Sequence, residues 1–179
     1  MTTRSKIKVF DLFTKALVSL ETHDKILYSW PRNRLALAHA LAVHLQEQLG
    51  KPTTYSVDLC PVLSRSKRTF NPDILVHNRQ SGHQLLSIVC KNDYLTETEQ
   101  KELASIKDIS CDYVTALSFM PQKSYILVYV ANENGIEYYH FDRNLLIMEP
   151  IRKRTTNKPE VSSKQLTLEK ILKKKNNGN

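Results

Sequence analysis

The apolar residues of this chain change their spacing once. From Val9 to Leu49 they recur at helical intervals. Beyond Gly50-Lys51-Pro52 they come in short β-branched and aromatic runs, broken by one acidic stretch that favours helix. A stripe spaced for 3.6 residues per turn cannot serve a strand, whose faces alternate every second residue. The chain must therefore place helices first and a sheet after them, with one helix inserted among the strands. Such an order describes an α/β domain with a mixed sheet flanked by helices.

Val9, Phe10, Phe13, Ala16, Leu17 and Leu20 predict a first helix from about Lys6 to Leu20. A second is expected to start at Pro31, a residue suited to a first helical turn. Leu35, Ala38, Leu41, Ala42, Leu45 and Leu49 form its apolar face, and Gly50 stops it. Strands are expected over Thr53–Leu59, Pro72–His77 and Leu85–Cys90, the last two as a hairpin around Ser81-Gly82. Thr96 and Glu99 have capping-box spacing at the head of a helix that runs to Ile106. Further strands fall over Tyr113–Phe119, Ser124–Val130 and Ile136–Phe141, with Asn134-Gly135 as the tight turn between the last two.

The net charge of +8 is concentrated at one end. Residues Ile151 to Asn179 hold nine Lys/Arg against two Glu, a balance of +7, whereas the first 150 residues hold 17 basic and 16 acidic groups. A domain over 1–150 and a basic, flexible tail over 151–179 are therefore expected, and nucleic-acid affinity drawn from charge alone applies to the tail. Leu166, Leu168, Ile171 and Leu172 could form a short amphipathic helix in that tail. No apolar run approaches the ~18 residues of a membrane span. Asp11 and Lys15 interrupt the core of any signal peptide. Cys60, Cys90 and Cys111 are odd in number and lack CxxC spacing, which fits free thiols and a cytoplasmic address. Four glycines, none clustered, leave no phosphate-binding P-loop.

The stretch richest in chemistry is Asn71-Pro72-Asp73-Ile74-Leu75-Val76, with Lys91 following 18 residues after Asp73 at the end of an apolar strand. Here the chain resembles the PD-(D/E)XK, or restriction-endonuclease-like, nuclease superfamily. It is most similar to a group of small bacterial members of it. Asn33, His39, Leu41-Ala42, Val57-Asp58, Pro72-Asp73-Ile74, Val76-His77 and Lys91 carry the likeness, which spans about residues 30–120. The resemblance implies an αβββαβ core, to which the later strands would be additions. It also implies catalytic roles for Asp73 and Lys91. Two acids would hold Mg²⁺ through oxygen ligands, and the metal would activate water and stabilise charge at a phosphate.

The pattern is incomplete. Val89 stands two residues before Lys91, where the family has an acid, and Arg34 (or Asn33, in a shifted register) stands where a helix glutamate is expected. Asp73 is then the one retained metal-binding acid, and Arg34 turned into the cleft would repel a cation. The resulting expectation is a degenerate, non-catalytic domain that binds DNA or RNA or a protein partner, with no cofactor. If catalysis survives, Mg²⁺ is implied, with a relocated carboxylate such as Asp58, as a metal ligand beside Asp73, or Asp93. A protein-interaction module, such as a homodimer, is the third reading. Arg65, Lys67 and Arg68 form a basic loop leading to Asp73, and with Arg34 they are the candidate nucleic-acid contacts. His39 could pack or ligate, His77 and His83 are expected at the surface, and strand alternation places Cys90 in the core, opposite Val89 and Lys91.

Overall fold

The computed structural model describes residues 3–50, 54–61, 71–106 and 111–151, with backbone alone at 3–8 and at 106. The basic loop with Arg65, Lys67 and Arg68 lies outside the described residues, as does the tail beyond Ile151. Helix α1 covers Thr3–His23, a 3-10 turn covers Lys25–Ser29, and α2 covers Arg34–Leu49. Three strands follow: β1 Ser56–Leu59, β2 Ile74–His77 and β3 Gln84–Lys91. Helix α3 covers Glu97–Ile106. After it come β4 Cys111–Ser118, β5 Tyr125–Asn132, β6 Gly135–Asp142 and β7 Ile147–Pro150.

The seven strands form one mixed sheet in which the spatial order is the chain order. Every neighbouring pair is antiparallel except β3 and β4. The exception has a direct cause. A tight turn reverses the chain, whereas a helix crossing over the sheet returns it to run in the same direction. Helix α3 makes that crossing, and its start is the capping box foreseen at Thr96. The Glu99 N–H donates to Thr96 Oγ1 at 3.3 Å, while Glu99 Oε2 accepts from the Thr96 N–H at 2.8 Å.

The sheet has two covered faces. Phe13, Leu17 and Leu20 of α1 and Leu37, Leu41 and Leu45 of α2 pack on Ile74, Val76, Leu86, Ile88, Cys90, Leu117 and Phe141. On the other face Leu103 of α3 packs with Val89, Val114, Ala116 and Tyr129. The alternation in β3 is thus as expected, with Ile88 and Cys90 towards α1 and α2, and Val89 towards α3. Burying each such leucine contributes about 1.5–3 kcal/mol, which is why two apolar helix stripes and an alternating sheet settle into these layers.

Several local expectations need correction. Helix α2 starts at Arg34 rather than Pro31, because Arg32 takes a left-handed φ of 57° that a helix cannot contain. Leu35 is exposed, lying off the face that Leu37, Leu41 and Leu45 bury. The hairpin tip is Glu133-Asn134, with Gly135 already paired to Asn132, so the turn sits one residue earlier than expected. Strand β7 was not foreseen. It follows a turn in which the Asp142 carboxylate accepts the N–H groups of Asn144 and Leu145, both at 2.8 Å. No helix among the described residues is long and apolar enough to cross a membrane.

Candidate functional site

Asp73 and Lys91 lie at one end of the sheet, where β2 begins and β3 ends. Ile74 pairs with Ile88, so Asp73 falls opposite Val89. The backbone of Asp73 serves both neighbours: its N–H donates to Ile88 O at 2.8 Å, and its carbonyl accepts from Cys60 N–H at 2.8 Å. Its carboxylate is equally engaged. Oδ2 accepts the Cys90 N–H at 2.7 Å, and Oδ1 forms an ion pair with Arg34 Nη1. The same guanidinium reaches Cys90 O at 3.4 Å, so Arg34 bridges the Asp73 side chain and the β3 backbone.

Arg34 is the first residue of α2, where no acidic group offsets it. A cation in the first helical turn opposes the helix dipole at a cost of about 0.3–1 kcal/mol. The Asp73 carboxylate is nearly buried, its side chain 10% exposed, and the ion pair offsets that cost. The adjacent Asn33 is buried and makes no capping bond. Its Nδ2 donates to Tyr28 O at 3.1 Å, and its Oδ1 accepts from Asn92 Nδ2 at 2.7 Å. The amide of Asn33 thus ties the head of α2 to the segment that follows β3.

Lys91 takes a different partner. Its ammonium pairs with Glu99 of α3. That contact, with the Thr96 capping bonds, holds the Glu99 carboxyl below the usual carboxylate range. No hydrogen bond or ion pair joins Asp73 to Lys91 among the described residues. One is bound to the helix on the α1–α2 face of the sheet, the other to α3 on the opposite face.

The remaining acids are also committed. Asp58 accepts from His77 Nε2 at 2.6 Å and pairs with Arg79, and these two contacts hold its carboxyl below the usual range. Asp93 Oδ1 accepts the N–H of Tyr94 at 2.7 Å. The divalent ion implied by the resemblance does not fit these residues. Both oxygens of Asp73 already accept hydrogen bonds, Val89 offers no ligand, and Arg34 holds a positive charge against Asp73. Among the described residues no group of three or more His, Cys, Asp or Glu could hold a metal.

The histidines differ from expectation. His77 and His83 are half-buried, His83 facing Asp112 at 3.1 Å and Tyr55 Oη at 3.1 Å. His39 is exposed, while His44 is buried against Asp24 at 2.6 Å. Cys90 is buried, and its burial and the nearby Asp73 charge push the thiol well above its ordinary value. Glu99 and Asn92 were missed as site residues. The Thr96–Glu99 spacing marked Glu99 as a cap, but its reach to Lys91 depends on how α3 lies on the sheet. The chain matches no known family model, curated protein or solved structure.

Proposed function

We propose that this is a degenerate PD-(D/E)XK-like domain that binds nucleic acid without cutting it. The observation that carries the reading is the Arg34–Asp73 pair: a guanidinium stands against the one retained acid, where a hydrolytic site of this kind needs a metal. The element order α2-β1-β2-β3-α3-β4, with β3 and β4 parallel, supports the αβββαβ likeness. Arg34 keeps its side chain 41% exposed, which leaves part of the guanidinium available to a phosphate. Arg65, Lys67 and Arg68 of the loop before β2 would add backbone contacts, and the basic tail more.

Two measurements test this reading. Purified protein incubated with DNA or RNA and Mg²⁺ or Mn²⁺ is expected to leave both intact. A gel shift is expected to weaken steeply with salt and to weaken further in Arg65→Ala/Lys67→Ala/Arg68→Ala. Metal-dependent cleavage lost in Asp73→Ala would establish an active nuclease and end the non-cutting reading. Absence of any salt-sensitive shift would end the nucleic-acid reading.

One observation favours a protein-interaction module as a second reading. Ile26 on the 3-10 turn, Trp30 just after it, and Leu35 and Val43 on α2 are exposed large apolar side chains. Sedimentation of the wild type beside Trp30→Ser/Leu35→Ser tests it, since self-association through this stripe would be lost in the variant.

A further inference from the structure

A second group of cations lies at the same end of the sheet, away from Asp73. Lys25, Tyr28 and Ser29 of the 3-10 turn face Lys123, Ser124 and Arg143 across a cavity of about 440 Å³. No carboxylate lines it among the described residues. Arg143 is its fixed part: the side chain is 8% exposed, and three contacts hold it in place. Nε donates to Glu21 Oε2 at 3.0 Å, Nη1 donates to Lys123 O at 3.0 Å, and the guanidinium carbon sits 3.7 Å from the centre of the Tyr28 ring. An arginine carries five N–H donors, and these contacts use two of them.

The charges do not balance. Lys25, Lys123 and Arg143 bring three positive charges to the cavity, and Glu21, buried beneath Arg143, returns one. Neither lysine has a carboxylate partner among the described residues. The Tyr28 hydroxyl is buried beside the Glu21 carboxylate, and its ring lines the cavity. A locked guanidinium with donors to spare, two free ammonium groups and the Ser124 hydroxyl match a tetrahedral oxyanion, which accepts several charge-assisted bonds. The cavity is also larger than one such group needs, given that a water occupies about 30 Å³. A phosphate carried on a larger molecule would fit.

We infer that this cavity is a phosphoryl-binding site, filled by free phosphate, a small phosphate ester or a phosphodiester of a nucleic acid. The inference does not depend on the nucleic-acid reading above, because inorganic phosphate alone is the first probe. In ¹H–¹⁵N spectra of the full chain, added phosphate is expected to shift the amides of Ser29, Lys123, Ser124 and Asn144 along one saturable curve. Lys25→Gln/Lys123→Gln leaves the buried Arg143–Glu21 pair intact and is expected to bind phosphate roughly tenfold or more weakly, the scale of losing charge-assisted hydrogen bonds. Lys15→Gln, which removes a lysine of α1 that does not line the cavity, should bind as the wild type does.

Shifts scattered over the surface without saturation, or unchanged affinity in the double variant, would overturn the site. Titration with a short 5′-phosphorylated oligonucleotide then separates the sources. Shifts at the same amides that outcompete phosphate assign the site to nucleic acid, while phosphate binding without oligonucleotide binding assigns it to free phosphate or a small ester. If the gel shift persists but phosphate leaves these amides unmoved, this inference fails and the nucleic-acid reading stands.

Discussion

Asp73 shows how one carboxylate can be consumed by structure. It closes the start of β2 through its backbone, caps a free N–H of β3 and neutralises Arg34. Asp73→Ala would leave the buried Cys90 N–H without an acceptor, and a loss of about 1–3 kcal/mol is expected in urea unfolding. Asp73→Asn keeps an acceptor for that N–H and should cost less. The cysteines offer a second test at this scale. Burial pushes Cys111 up to about 12 and Cys90 well above its ordinary value, whereas Cys60 is exposed. A thiol reagent at neutral pH should label Cys60 in the native protein and the other two upon unfolding. The burial of Cys90 was legible from strand alternation alone. The Arg34–Asp73 pair was not, since residues 39 positions apart meet only once α2 has docked beside β2.

Among the elements, α3 depends most on few residues. Its capping box and its ion pair to β3 share one side chain, Glu99. Thr96→Ala is expected to cost about 0.5–2 kcal/mol, the usual range for a lost cap. Acid should act on the same point. The Glu99 carboxyl is depressed in the folded chain, so its contribution is fully present above about 4.3, the ordinary glutamate value. It is lost as pH falls through the depressed value. The stability gap between wild type and Glu99→Gln should therefore narrow on acidification, as urea titrations at several pH values would show. A gap that widens in acid would contradict the assignment. Element types were readable because period and turn chemistry act locally, and Thr96 and Gly50 marked true boundaries. Strand β7 was hidden because it is four residues long and its turn is set by Asp142, not by glycine or proline.

At the scale of the whole molecule, the Glu21–Arg143 pair joins the end of α1 to the turn between β6 and β7 across 122 positions of sequence. Both side chains are buried, so removing one strands the charge of the other. Glu21→Ala is expected to cost about 3–5 kcal/mol, and Glu21→Met/Arg143→Met markedly less, by the same unfolding measurement. Nothing in the sequence marks these two as partners. Their meeting depends on the sheet first bringing the start of β5 and the end of β6 beneath α1.

That sheet has its strands side by side in the order of synthesis. Each new strand can join the rim left open by the one before it, with no gap to be filled later by a distant segment. Most pairings then close over short spans of chain, where the entropic cost is least, and the β3–β4 step across α3 is the slow one to expect. At every stage only one rim goes on growing, and among the described residues the two outer strands of the finished sheet are the four-residue β1 and β7. Rims that short give a neighbouring chain little to zip onto. The plain ordering that makes the domain quick to assemble thus also guards it against aggregation.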